Sequence, residues 1–252
     1  MIRRVISPYA QDGFRAGFDW GPVGADVVAG TLVAVVDVLS FTTAVTVAAD
    51  LGIDVYPYRW RDETAVAYAN QYDAVLAVGR SEAGPGDLSL SPVTIRQAQG
   101  VERLVLPSPN GSTIAHRLSD SGATVIAVSL RNRLAAADWV YARIVENPDL
   151  KVVAIAAGER WKDGSLRPAV EDLWGAGGFL SALQVDGLSP EARAAVAAYD
   201  AVADEIPALL YDCAGGRELT QYGFPDDVAI AAEVDESWSV PVLRDGTMFG
   251  ST

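Results

Sequence analysis

Short apolar, β-branched runs alternate with stretches of helical periodicity along most of the chain. The clearest begins at Leu32, LVAVVDVLSFTTAV: a strand over 32–38 buried on both faces, then a helix after Thr42 running to Gly52. Further strands are predicted at Ile53 to Tyr58, Ala74 to Val78, Arg103 to Leu106, Thr124 to Val128 and Lys151 to Ala156. Helices are predicted over Asp62 to Gln71 with Asp62 as cap, Val93 to Gln99, Ile114 to Ser119 and Leu134 to Glu146. Residues 1–30 hold a first strand and a loop-rich segment, FDWGPVGADVVAG. Residues 82–92 and 161–169 read as long loops. VEDLWGAGGFLSAL reads as a helix with Glu171 and Asp172 in its first turn, and Pro190 to Leu210 as an Ala-rich helix broken at Pro207. Gly223 to Ala232 suggests a turn and short strand, and Ser239 to Leu243 with Thr247 to Phe249 a closing strand or hairpin. This alternation predicts one α/β domain over residues 1–252, three layers (α/β/α) around a mostly parallel, mixed sheet.

Chemistry gathers where the strands end. Asp37 stands near the carboxyl end of a buried strand, where an unpaired carboxylate costs several kcal/mol or more. Thr42 and Thr43 follow at a helix start, a place that suits anions. The same residues also suit plain helix capping. Other strands end in Gly79, Arg80 and Ser81; in Ser108, Asn110, Gly111 and Ser112; in Ser129, Arg131 and Asn132; and in Gly158 and Glu159. Parallel strands put their carboxyl ends on one edge of a sheet, so these groups are expected to converge on a ligand.

Charge and composition then narrow the choice. The net charge is −14, with half the 252 residues hydrophobic and 21% charged. That field opposes a nucleic-acid or anionic-membrane surface, and any anionic ligand needs local arginines, backbone N–H groups or a metal. Cys213 and His116 are the single residues of their kinds. They exclude an intrachain disulfide, a thiolate zinc site and a multi-histidine metal site, but leave open a carboxylate site suited to magnesium. No apolar run reaches the length of a membrane span and the N-terminus lacks a signal-peptide core, so a cytoplasmic protein is expected.

The segments VVDVLSFTTAV, LPSPNGSTIAHR, VSLRNRLAAA, VAIAAGER and VEDLWGAGGFL, with the early WGPVGA and the tail ELTQYGFPDDVAIAAEVDESWSVPVL, resemble in order and spacing the 2-phosphosulfolactate phosphatases, the ComB-like family. The resemblance implies a magnesium-dependent phosphatase on an α/β/α fold that hydrolyses 2-phosphosulfolactate to sulfolactate and phosphate within coenzyme M biosynthesis. The chain departs from that family's pattern at Ser40 and Phe41, where Arg and Ala are usual, and at Arg80, where Glu is usual. The 83–92 loop keeps Asp87, Leu88, Ser91 and Pro92 but lacks the usual Phe and Asn, and Ser108, Pro109 and Ser112 replace threonines.

On this reading Asp37, Glu171 and Asp172 are the catalytic carboxylates and hold one Mg²⁺, Asp37 being alternatively a nucleophile. Arg80 or Arg131 grips the phosphate or a second acidic group. Thr42, Thr43, Asn110, Gly111, Ser112 and Asn132 cradle oxygens. The partner is a small anionic phosphate ester, and self-association into a homo-oligomer stays open. The alternatives are a phosphatase of another small phospho-acid, or a non-catalytic anion-binding protein that has lost hydrolysis. His116 and Cys213 are expected to be structural, and Trp161 and Trp174 to flank the acidic site.

Overall fold

The computed structural model describes residues 9–26, 31–59, 62–119 and 121–251. The chain begins with strand β1 (Ala16–Trp20), helix α1 (Gly21–Ala25), β2 (Leu32–Val36), α2 (Phe41–Asp50) and β3 (Asp54–Tyr58). It continues through α3 (Glu63–Tyr72), β4 (Val75–Leu76), α4 (Pro92–Arg96), β5 (Arg103–Pro107), α5 (Gly111–Leu118) and β6 (Thr124–Val128). Then come α6 (Arg133–Glu146), β7 (Val152–Ala156), the small hairpin β8 (Glu159–Arg160) and β9 (Leu166–Arg167), and α7 (Val170–Leu183). The last third is helical: α8 (Pro190–Asp200), α9 (Ile206–Asp212), α10 (Ala214–Gln221) and α11 (Pro225–Ala231). The closing hairpin is β10 (Val240–Arg244) and β11 (Thr247–Ser251).

Among the described residues, nine strands form one mixed sheet in the order β1-β7-β2-β6-β10-β11-β3-β5-β4. β2 is central and buried throughout, as an unbroken LVAVV run requires. Its alternate residues serve two cores. Leu32, Ala34 and Val36 face one with α6, α7 and α8; Val33 and Val35 face the other with α2 and α5. These are the expected three layers. No helix among the described residues is long and apolar enough to cross a membrane.

The sheet is less uniform than the strand–helix alternation implies. β1, β7, β2 and β6 run parallel, and so do β3, β5 and β4, but the hairpin β10–β11 is inserted between the two blocks with antiparallel pairing on every side. The β3–β5–β4 block therefore runs against the β2 block by topology. Sheet twist of about 20–25° per strand accumulates to roughly 100–125° over the five steps from β2 to β5 and swings the reversed block round. The start of α5, just past β5, consequently meets the residue just past β2.

Several local expectations are corrected. β1 and α1 occupy the start of the segment read as loop-rich, while residues 1–8 and 27–30 lie outside the described residues. The loop 161–169 contains the turn and second strand of a hairpin. Residues 225–231 are helix rather than strand, because Pro225 at the first helical position and Asp226 and Asp227 in the first turn start a helix. Pro207 likewise begins α9 rather than breaking a longer helix, and α8 stops at Asp200.

Two packing devices bear on the site. At the outer edge of β1, the Gln11 amide accepts from Phe18 N–H at 3.1 Å and donates to Phe18 O at 2.8 Å, closing the edge as a neighbouring strand would. Helix α7 lies against its neighbours through glycines. A Cβ on Gly175 would stand 2.7 and 2.8 Å from methyls of Val38 and Val36, and one on Gly177 would overlap the Ala195 carbonyl.

Candidate functional site

The turn after β2 holds Asp37 by both oxygens. Oδ1 accepts from Phe41 N–H at 3.2 Å and Oδ2 from Gly111 N–H, the first residue of α5, at 2.9 Å. Asp172, in the first turn of α7, is held in the same manner by Val38 N–H at 2.7 Å and Gly158 N–H at 2.8 Å. Two buried carboxylates thus tie together the ends of β2, β5 and β7. Glu171 is buried beside them, and its Oε2 has no hydrogen-bond partner. Glu159, at the start of β8, accepts from Asn110 Nδ2 at 2.9 Å and reaches the surface on one side.

These acids act on one another. Burial pushes Asp37 up to about 6, against the pull of the Phe41 and Gly111 N–H groups and the charge of Arg80, with Glu171 adding to the rise. Burial and the Asp37 charge push Glu159 up to about 7, against Asn110 and Arg167. Burial, Asp37 and Glu171 raise Asp172 above the ordinary carboxylate range despite its two N–H donors. Neighbouring carboxylates with raised pKa values and an orphaned oxygen form a site that favours either protons or a cation.

Oxygen donors of this kind suit a hard divalent ion such as magnesium, and the unpartnered Glu171 oxygen fits one. Among the described residues, however, no three Asp, Glu, His or Cys side chains stand as a ready-made metal-binding group. All four oxygens of Asp37 and Asp172 receive a backbone N–H group, and each keeps a further lone pair that a cation could use.

The residues singled out from sequence divide into two groups. Asp37, Asn110, Gly111, Glu171 and Asp172 come together. Arg80 reaches the rim, where Nη2 donates to Ser40 Oγ at 2.5 Å and Nε to Asp227 Oδ2 at 2.9 Å, and its charge is felt at Asp37. The hydroxyls bond the local backbone rather than capping the helix starts. Thr42 Oγ1 donates to Asp37 O and accepts from Asp37 N–H, Thr43 donates to Val38 O, and Ser112 donates to Leu106 O.

Arg131 and Asn132 are engaged elsewhere. Arg131 is buried between Asp50 at 3.0 Å and Glu233 at 3.1 Å, under the far end of α2. Asn132 closes the turn after β6 by accepting from Ser129 N–H and donating to Ser239 O. Neither is brought to Asp37, because a strand's end fixes a sheet edge but not the direction in which a side chain leaves it. His116 is exposed at the end of α5, Trp174 belongs to the core, and Cys213 is buried with its thiol pushed up to about 12 by burial.

Two residues of the arrangement were not among the predicted site residues. Glu159 follows β7 and opens β8; the AGER sequence carries the signal, an acid directly after a glycine past a buried strand's end. Asp227, the partner of Arg80, lay in a segment read as strand. Its place after Pro225, in a helix's first turn, was the overlooked sign.

Comparison with known proteins agrees with the geometry. The pattern of the family described as 2-phosphosulpholactate phosphatase matches residues 24–246. The chain is 33% identical over 219 residues to a protein of Thermus thermophilus named probable 2-phosphosulfolactate phosphatase, over 84% of this chain and 88% of that one. With the match spanning β2, α5 and α7, the elements that carry the buried acids, the chain belongs to the 2-phosphosulpholactate phosphatase family of phosphoric monoester hydrolases.

Proposed function

We propose that the protein is a magnesium-dependent phosphatase that hydrolyses 2-phosphosulfolactate to sulfolactate and inorganic phosphate, a step of coenzyme M biosynthesis. The observation that carries this reading is the unpartnered Oε2 of Glu171, buried among the neighbouring carboxylates Asp37 and Asp172. Asp37, Glu171 and Asp172 would hold the magnesium ion, which when bound supplies positive charge against the phosphoryl oxygens.

The protein's own groups divide the remaining tasks. Backbone N–H groups fix Asp37 and Asp172, so neither carboxylate has to reorganise as charge moves. In the hydrolysis a water oxygen bonds to phosphorus, the bond from phosphorus to the ester oxygen breaks, and that oxygen takes a proton to become the alcohol. Glu159, mostly buried but open to the surface on one side and held by Asn110, is the group we assign to deliver this proton. Arg80 brings the nearest side-chain cation acting on Asp37 and offsets the repulsion an anionic ester meets there.

The contact of Arg80 with Ser40 favours a second reading, a phosphatase for a different small phosphorylated acid. Both residues stand where the family's usual residues differ, so the charge at this rim is arranged differently.

Phosphate release from purified protein, with and without Mg²⁺, tests the proposal. Phosphosulfolactate, phospholactate, phosphoglycerate, phosphoglycolate and an aryl phosphate are offered, with Asp37→Asn as control. Mg²⁺-dependent release that ranks phosphosulfolactate first is expected. A different acid ranked first would move the assignment to that acid, and no release on any ester by folded protein would favour an anion-binding protein.

A further inference from the structure

Residues 159–167 form a hairpin in which three bases outnumber two acids, Glu159 and Asp163, on a chain dominated by acids. Arg160, Lys162 and Arg167 are three of only 19 lysines and arginines, set in nine consecutive residues. Its root is built into the site. Gly158 N–H holds Asp172, and Glu159 is held by Asn110. At φ +65°, Gly158 lets the hairpin fold back over its own base, where a Cβ would stand 3.0 Å from Arg167 O and 2.8 Å from Leu166 Cδ1.

The register sorts the side chains. Glu159 pairs with Arg167, and Arg160 with Leu166. Directly opposed residues of an antiparallel pair share a face, and residues two apart along a strand do so as well. Glu159, Trp161 and Arg167 therefore lie on one face, toward the carboxylates. Leu166 lies on the other, where its methyls lie 3.2 and 3.6 Å from a Cβ built at Gly21. The Arg167 guanidinium sits 5.8 Å from the centre of the Trp161 ring, and that ring is 58% exposed. Arg167 makes no salt bridge with an acidic side chain among the described residues, unlike Arg80, Arg131 and Arg133. Its charge acts on Glu159 across the strand pair, but with no carboxylate seated on it the planar fork keeps donors for an outside anion.

We propose that Arg167, stacked on Trp161, is the specificity-determining residue that receives the substrate's second anionic group, a carboxylate or sulfonate, while the phosphoryl group lies among the buried acids. The proposal rests on the phosphatase reading of that site. A guanidinium offers parallel N–H donors to a planar carboxylate or to two oxygens of a sulfonate. The indole face keeps the fork oriented. Gly158 and Glu159 anchor the hairpin's first strand, and the pairing of Glu159 with Arg167 carries that position to the second strand, so the hairpin sets the distance from phosphoryl to acid.

The test compares wild type, Arg167→Met, Arg167→Lys and Trp161→Phe on phospholactate and on propan-2-yl phosphate, which lacks the second acid. In Arg167→Met the ratio of kcat/KM for the two esters is expected to fall about ten-fold or more, mainly through KM for phospholactate, as for loss of a charge-assisted hydrogen bond. Arg167→Lys recovers part of it. An unchanged ratio, whether both activities fall together or neither does, would overturn the proposal. If wild type releases phosphate from neither ester and not from phosphosulfolactate, the phosphatase reading fails on its own, and phospholactate binding is followed by tryptophan fluorescence. A saturable change that Arg167→Met, which keeps Trp161, abolishes upholds the hairpin's role; no saturable change in wild type, or one that Arg167→Met leaves intact, overturns it.

Discussion

Gly111 N–H donates to Asp37 Oδ2 at 2.9 Å, joining the first residue of α5 to the carboxylate just past β2. The same glycine has no room for a side chain. A Cβ there would lie 2.8 Å from Asp37 Oδ2 and overlap the Phe41 ring. Gly111→Ala is therefore expected to displace Asp37 and Phe41 together. Overpacking of this kind costs about 1–3 kcal/mol. Loss of turnover with a Tm decrease, while circular dichroism keeps its native form, is the expected outcome.

Protons and metal ions should compete for the buried acids. Asp37 and Glu159 have folded-state values of about 6 and about 7, above their ordinary 3.8 and 4.5. Between those limits the folded protein binds more protons than the unfolded chain, so stability is greatest below the ordinary values and falls as pH rises through 6 to 7. Metal-free protein is expected to melt lower at pH 8 than at pH 5. Added Mg²⁺ should raise Tm at pH 8 and do little at pH 5, where protons already occupy the carboxylates. Scanning calorimetry at the two pH values, with and without Mg²⁺, decides it; an equal Mg²⁺ shift at both would count against a carboxylate metal site.

Glu171→Gln replaces a buried carboxyl group by an amide of nearly the same volume. The metal-free variant should be at least as stable as wild type, because a desolvated carboxylate without a full set of partners costs free energy. The Mg²⁺-induced rise in Tm should shrink, and phosphate release should drop about 100-fold, the scale on which losing a charge-stabilising group lowers turnover. A stable variant with wild-type turnover would remove Glu171 from the site.

Arg131 should matter to stability rather than to substrate. Breaking a buried ion pair costs about 3–5 kcal/mol, and its partners Asp50 and Glu233 are about one-third exposed, which lowers that to about 2 kcal/mol. Arg131→Met is expected to lower the urea midpoint accordingly and leave KM unchanged. A raised KM at native stability would return Arg131 to the binding surface.

The elements that could be read from sequence are those whose signal is local. Asp37 stood out because an acid interrupted an apolar run, and Glu171 and Asp172 because they open a helix. The reversal of β3, β5 and β4 was not readable, since it depends on β10 and β11 pairing with strands more than 100 residues away. Arg131 and Arg80 looked alike at their strand ends, and only the third dimension supplied Arg131 with Asp50 and Glu233 and brought Arg80 to Ser40. Glu159 had no visible partner until the fold delivered Asn110, 49 residues earlier in the chain.

The glycine contacts of α7 have a thermal consequence. Glu171 and Asp172 precede Gly175 by four and three residues, within about 6 Å along the helix axis. Gly175 and Gly177 seat that helix on β2 and α8 without intervening side chains that could soften on heating. The two acids thus inherit the persistence of the central core rather than that of a surface loop. Heat inactivation should then track melting of the core, with no lower-temperature stage in which a folded molecule has already lost its acid pair.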